Sequence, residues 1–464
     1  AKWSNASPHS SPPSRTRPPL MRNRWCSRFK LSPHRATLNR VNDVARRSTP
    51  LWGLVSANTV STAGTRLSQI AVPWLVLTTT GSASRAGVVA FAELAPLVLA
   101  QSLGGPWVDR IGAKRVAVWC DAASAVVVAL LPLIHAAGKL TFPALVALIA
   151  VCGFMRGPSD TAHHAMIPDV VTHTGAATER VTGLVGTTDN LASLIGAGVG
   201  GAIVAVLGPI NALSLNAASF AVSALILAVA TRSLAKPQTK LDPVDAGSSY
   251  WRELREGFSY LRRDTLLLGI MLLTAMTNML NQGYSSVLLP TWAKESGRGA
   301  GIIGVLGACM GASALVGSLL AAWWGARMPR FPIYMAGFLL AGAPRWVSLA
   351  LNLPPTALVA ITIGAGFGAG FLNPVLGALQ FERIPPALMG RVSAAGLAIS
   401  WCLMPLGGLL AGWAASSTGI TTSLLIFAAS YLAVTMAPAL IPRWREMSTP
   451  VGAETSSSRA NPTA

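Results

Sequence analysis

The chain alternates long apolar runs with short polar breaks, and the length of the runs decides what they are. The hydrocarbon core of a bilayer is about 30 Å thick, so a helix needs about 20 apolar residues to cross it. Twelve runs have or approach that length: 51–79, 86–103, 116–137, 142–158, 181–207, 210–230, 266–292, 302–323, 333–351, 356–379, 392–415 and 421–441. Most breaks between them are very short. The exception, 231–265, is polar and charged and divides the runs six and six. The pattern predicts an all-α integral membrane protein of twelve transmembrane helices in two six-helix bundles, 51–230 and 266–441. Residues 1–50 are basic and rich in Ser, Pro and Arg, which predicts a disordered cytoplasmic tail, with a second tail at 442–464. The first apolar run starts too late, and is too long, for a cleaved signal peptide.

Within the linker 231–265, Trp251, Leu254, Phe258 and Leu261 recur at helical spacing, with charged residues opposite. This predicts an amphipathic helix lying on the membrane surface. A plain solvated connector is the alternative.

Composition supports the membrane reading. The 464 residues are long enough for two or three soluble domains, but only 11% are charged, against about 25% in a soluble protein. A net charge of +19 would suggest nucleic acid in a soluble chain. Its placement gives a different explanation. With the N-terminus inside, 30 of the 36 Lys and Arg fall in cytoplasmic segments, and only Arg85, Lys139, Lys294 and Arg298 fall outside. That is the bias of a multi-pass bacterial inner-membrane protein with both termini in the cytoplasm. The lipid bilayer is then its surroundings and no nucleic-acid partner is expected. The five cysteines are dispersed and read as buried thiols, neither a disulfide framework nor a metal site. His163 and His164 read as a cytoplasmic loop with no further ligand nearby, so no metal is expected. No phosphate-binding loop and no nucleophile–base pair is present, so the reading is of a non-enzyme without cofactor, driven by something other than ATP.

The two halves echo each other. Gly157-Pro158 and Ile167-Pro168 have counterparts in Asn373-Pro374 and Ile384-Pro385, and Gly200-Gly201 in Gly407-Gly408. Six-helix repeats with a substrate site between them are a common construction of transporters.

Ionisable groups are costly in a bilayer, so each one inside a run is a candidate for function. They are Arg66, Glu93, Asp121, Asp189 and Arg345. Glu93, near the middle of its run, is the first choice for a carboxyl that exchanges protons, and Asp189 the second. The first run also carries Asn58, Thr62, Thr65 and Gln69 on one helical face beside Arg66, and the seventh carries Thr274, Asn278, Asn281 and Ser285 at the same spacing. These stripes predict a hydrated path for a small-molecule substrate, lined by Asn58, Thr62, Arg66, Gln69, Asn278, Asn281 and Arg345. A structural ion pair, such as Arg66 with Glu93, is the competing reading. Asp121 and Arg156 read as packing groups near the ends of their runs.

Between the second and third runs stands Gly105-Pro106-Trp107-Val108-Asp109-Arg110-Ile111-Gly112-Ala113-Lys114-Arg115. Its pattern, G-x-x-x-D-R-x-G-x-K-R, resembles the signature loop of the major facilitator superfamily at every defined position. Gly112 suits a tight turn, Asp109 can pair with Arg110 or face a helix N-terminus, and Lys114 and Arg115 hold the loop on the cytoplasmic side. The resemblance implies that Gly105, Asp109, Arg110, Gly112, Lys114 and Arg115 form a gating latch that holds the halves in the outward-facing state. The matching segment of the second half, Trp323 to Arg327, lacks the acidic residue.

Pro73 to Leu77, Ile167-Pro168-Asp169, Asn216 to Phe220 and Gly390-Arg391-Val392 resemble the bacterial exporter branch of that superfamily, which includes the enterobactin exporter and macrolide and multidrug efflux pumps. This implies a monomeric, proton-driven exporter of drugs or other amphiphilic molecules, working by alternating access. One departure leaves direction open: Gly196 to Gly201 keeps the antiporter glycines of the fifth run but not its proline. A symporter or facilitator that imports a solute is the alternative, and a non-transporting membrane sensor a third reading.

Overall fold

The computed structural model describes residues 33–232, 243–324 and 329–442, together with 444 and 447, and these are helical with no strand. The helices are α1 (Pro33–Thr80), α2 (Ala83–Ile111), α3 (Ala113–Ala136), α4 (Phe142–Ala165), α5 (Ile167–Thr174), α6 (Thr178–Leu207), α7 (Pro209–Ala230), α8 (Pro243–Arg263), α9 (Thr265–Gly283), α10 (Leu289–Glu295), α11 (Gly301–Trp324), α12 (Arg330–Ala341), α13 (Ala343–Ala350), α14 (Pro355–Arg383), α15 (Met389–Cys402), α16 (Met404–Thr418) and α17 (Ile420–Met436). Residues through Arg46 form a unit of their own, in which helical backbone is described from Pro33. The disordered tail expected over 1–50 thus gives way to helix at Pro33, while residues 1–32 and nearly all of 443–464 lie outside the described residues.

Among the described residues, eleven helical segments are long and apolar enough to cross a membrane. The predicted first span, within α1, is not among them, because Asn58, Arg66 and Gln69 dilute its apolar content. Three predicted spans are interrupted. The seventh runs from α9 into α10 through a π turn at Tyr284–Leu288, ahead of Pro290. The ninth breaks at Gly342, where a Cβ would meet the Tyr431 ring at 2.0 Å and where Pro344 follows. The eleventh breaks at Leu403 before Pro405, whose missing N–H cannot continue the ladder.

Lipid tails are as apolar as leucine, so membrane helices associate by close packing and polar contacts rather than by escape from water. Helices α1–α7 pack mainly on one another: α2 on α4, α3 on α4 and α7, and α1 on α7, where a Cβ on Gly64 would meet Ser219. In the second group α11 and α12 lie on α14, α13 on α17, and α9 on α15 and α16. Trp346 and Tyr334, both fully buried, anchor an aromatic column with Tyr284, Phe338 and Tyr431.

The two groups meet chiefly along two seams, α2 with α16 and α6 with α11, and α2 also touches α15 and the linker helix α8. Glycines make both. A Cβ on Gly87 would stand 2.4 Å from the Gly408 carbonyl oxygen, and one on Gly201 2.5 Å from the Gly304 backbone. The glycine stripe of α6 serves two neighbours: Gly196 and Gly200 lie against α1, and Gly198 and Gly201 against α11. At the same end, Lys294 at the close of α10 donates to the Leu77 carbonyl near the end of α1.

The linker helix α8 docks on α15. Glu256 pairs with Arg391 at 2.6 Å, Gly257 lies against the Arg391 carbonyl, and the Tyr260 hydroxyl donates to the Arg383 carbonyl at 2.6 Å. The buried face is not the whole apolar stripe: Leu261 is fully buried, Leu254 partly so, and Phe258 is exposed. Trp251 carries no described side chain. Cys26 lies outside the described residues, and the four described cysteines are less buried than expected. Cys120, Cys152 and Cys309 are partly buried, and Cys402 is exposed on the surface that a spanning protein turns partly to lipid.

Candidate functional site

The polar stripe of α1 looks into a network of charged side chains that crosses five helices. Asp121 of α3 is fully buried. It accepts hydrogen bonds from Ser159 of α4 at 2.5 Å and Ser223 of α7 at 2.6 Å, and lies 3.5 Å from Arg156 and 3.4 Å from His163, both on α4. Arg156 is buried too. It donates to Ser61 of α1 at 2.7 Å, pairs with Asp160 at 2.5 Å, and lies over the Phe220 ring at 4.9 Å. Isolated charges in a dry interior cost far more than paired ones, and Asp121 and Asp160 both meet the Arg156 guanidinium. On α1, Asn58 donates to Asp189 of α6 and accepts from His163 at 3.1 Å.

The sequence located Asp121, Asp189 and Asn58 but not the hub. α4 continues two turns past the predicted end at 158, so His163 is not in a loop but buried inside the helix. The signal was present: Arg156, Ser159, Asp160 and His163 stand at i, i+3, i+4 and i+7, one polar helical face.

Arg66 does not pair with Glu93. Its guanidinium donates to Ser193 of α6 at 3.2 Å and to Gln69 at 2.9 Å. Thr62 is half-buried beside it. Glu93 points from α2 into a cavity of about 40 Å³ lined by Thr65, Ser68, Gln69, Cys152 and Arg156. A water needs roughly 10–15 Å³ of such volume, so the cavity has room for about three. It is far below the ~300 Å³ at which drug-sized sites begin. Glu93 has no hydrogen-bond or ion-pair partner among the described residues.

In the second group the stripe of α9 meets different partners. Asn278 donates to the Ser400 carbonyl at 3.0 Å, and Asn281 accepts from Arg345 of α13. The Arg345 guanidinium lies 4.8 Å from the Tyr284 ring centre and 5.7 Å from that of Trp346, and its Nε is buried without a partner. The structure therefore joins Arg345 to Asn281, and Arg66 to Gln69.

The signature motif is more helical than a loop. α2 runs through Asp109 and Arg110 to Ile111, and the reversal into α3 is made by Gly112 alone, at φ 96° and ψ 130°. A positive φ of that size favours glycine. Gly105 is half-buried near the end of α2, where its neighbour Gly104 lies against Pro158 of α4. Lys114 donates to the Thr231 carbonyl at 2.7 Å and so caps the end of α7. Asp109, Arg110 and Arg115 are exposed. Asp109 makes no ion pair with a described residue, Arg110 included, because neighbours one apart on a helix point different ways. The segment 325–328, where the second-half copy would sit, lies outside the described residues.

The sequence model of the Major Facilitator Superfamily matches residues 54–288 and 271–462. The multidrug efflux pump Tap of Mycobacterium tuberculosis is 29% identical over 402 residues, covering 86% of this chain and 94% of the relative. Tap of Mycolicibacterium fortuitum is 28% identical over 407 residues, covering 86% and 97%. Among solved structures, the nucleoside transporter NupG superposes with a TM-score of 0.62 at 17% identity, covering 86% of this chain and 98% of that one. A bacterial homologue of the lysosomal transporter Spinster, inward-facing and unoccupied, does so with 0.61 at 16%, covering 87% and 97%.

Proposed function

The chain belongs to the Major Facilitator Superfamily, and on that premise we propose that it exports amphiphilic small molecules by exchanging them for protons, through alternating access. Export of more than one compound is supported by the relatives named as multidrug efflux pumps. The orientation rests on the placement of Lys and Arg, which puts both termini in the cytoplasm of the inner membrane. In that orientation the glycine-sealed end, with Lys294 on Leu77, faces outward. The Asp109 end faces the cytoplasm, with the carboxylate in no ion pair with a described residue, as suits a latch that closes only in the opposite state. Substrate would enter from the cytoplasm in the state described here and leave after the outer seam parts.

The observation that carries proton coupling is Glu93, a carboxyl that faces a small cavity and makes no ion pair with a described residue, although Arg156 lines the same cavity. An isolated carboxylate costs far more to bury than a neutral acid, so the group can take up a proton here and release it when the state changes. Each proton moving down one pH unit supplies about 1.4 kcal/mol, enough for tenfold accumulation of one substrate molecule.

The test uses purified protein in liposomes with ethidium and a panel of amphiphilic compounds under an imposed pH gradient. The wild type is expected to drive ethidium against its gradient. Glu93→Gln is expected to fall to the level of protein-free liposomes while still exchanging ethidium downhill. A wild type that moves no compound of the panel sinks the export reading; an undiminished Glu93→Gln removes Glu93 from the mechanism. Counterflow in inside-out and right-side-out vesicles separates export from import, the alternative raised by the proline-free stripe of α6.

A further inference from the structure

His163, 3% exposed, sits between two oxygens. Its Nδ1 lies 3.1 Å from Asn58 Oδ1, and its Nε2 lies 3.4 Å from Asp121 Oδ2. The Asn58 amide is oriented from its other side, because its Nδ2 donates to Asp189. An amide that gives its N–H to Asp189 turns its oxygen toward His163, and that oxygen can only accept. Nδ1 of His163 therefore carries a hydrogen. A neutral imidazole has only one N–H. With that hydrogen on Nδ1, Nε2 would turn a lone pair toward a carboxylate that also offers only lone pairs. A buried contact of that kind is unfavourable; a second hydrogen on Nε2 makes it an ion pair.

The charges around the ring lead to the same state. Asp121 faces it from α3, Arg156 and Asp160 share its helix, Asp189 lies beyond Asn58 on α6, and Arg66 of α1 acts on Asp160 and Asp189. His164 is exposed, and α7 contributes only the neutral Ser223. Glu93 of α2 stands apart, in the cavity beyond Arg156. Three acids are thus set against two guanidinium groups, with His163 the buried and His164 the exposed histidine among them.

We propose that His163 is a proton-coupling site, holding one exchanged proton as an imidazolium paired with Asp121, and that its release loosens α6. This rests on the proton-driven reading above and adds a site to it. When the proton leaves Nε2, the pair passes from imidazolium and carboxylate to neutral imidazole and carboxylate, and the repelling lone pairs drive the ring off Asp121. Asn58 then loses the donor that fixes its amide. Asp189 loses its orientation with it, and among the described residues Asp189 ties α6 to α1, as does Arg66 to Ser193. The opposite face of α6 is the seam with α11 at Gly198 and Gly201. A proton at His163 is thereby connected to the joint between the two groups of helices.

Two measurements on the full chain test this. The first is nitrogen-15 NMR of the protein in nanodiscs with all six histidines labelled, His163 being assigned by the signal missing from His163→Gln. The expected signal at pH 7 has both ring nitrogens protonated. A neutral ring in the wild type overturns the proposal. The second is ethidium transport in liposomes. His163→Gln, which can hydrogen-bond but not titrate, is expected to lose uptake driven by a pH gradient and to keep ethidium exchange at equal pH. Full driven uptake overturns the coupling role. If His163→Gln does not fold, Asp121→Asn combined with His163→Gln leaves no unbalanced charge between the pair and carries the same expectation. A wild type that pumps nothing defeats the proposed function, while the NMR signal still decides the state of His163.

Discussion

Replacing Arg156 by Met is expected to be the most destabilising single change in the first group of helices. The guanidinium serves Ser61, Asp121 and Asp160 at once and covers Phe220. Without it, Asp121 keeps two hydroxyls and the His163 contact but loses a permanent cation, and Asp160 loses its partner. Removing one member of a buried pair costs about 3–5 kcal/mol, because the other charge stays behind. Thermal unfolding in detergent should show the loss. Asp121→Asn added to Arg156→Met should recover part of it, since the stranded anion is then gone. Arg156→Lys should fall between, because an ammonium is a compact point charge that does not reproduce the planar fork of donors. Arg345→Met supplies the contrast. Arg345 rests on Asn281 and two rings, with no carboxylate among its described partners, so its removal strands no anion and should cost less. Equal losses at the two arginines would show that the acids of the network are not held by Arg156.

The reading of sequence into structure divides along a physical line. Most span positions, the linker helix and the Gly112 turn were legible because each depends on a local rule: the length of an apolar run, the helical period, or a backbone angle that glycine accepts. The polar stripes of α1 and α9 were legible for the same reason. The partners of those stripes were not, since a stripe fixes a direction but not what stands there. Arg66 was read against Glu93 and instead meets Ser193 and Gln69. His163 was misplaced because apolar content falls after Pro158, although the helix itself continues on its tertiary contacts. The breaks at Gly342 and Leu403 left a trace in Pro344 and Pro405, but proline is tolerated inside Pro33–Thr80 and Pro355–Arg383 as well. Sequence alone does not separate the two cases.

The seam between α2 and α16 leads to the second large effect. Gly87→Val should open the end of the molecule that is packed shut here. A side chain at Gly87 would meet the Gly408 carbonyl oxygen at 2.4 Å and the Gly412 Cα at 3.2 Å. Both are backbone atoms of a packed helix, so no flexible side chain can yield and the helices themselves must part. Overpacking of this kind costs about 1–3 kcal/mol, and a bias of that size shifts a two-state population by about 5- to 150-fold. Because the cost falls only on the state with this seam closed, it should favour the opposite state and not merely weaken the fold. Spin labels at Thr79→Cys and Glu295→Cys, in a background with the native cysteines replaced, report the distance next to the Lys294–Leu77 contact. The wild type should give a short distance, and Gly87→Val a long one, with driven ethidium transport lost in parallel. Gly364→Val is the control, since nothing stands within 4 Å of the Cβ position there; it should leave the distance and transport as they are. If Gly87→Val keeps the short distance, the seam is soft and its glycines do not set which side of the protein is open.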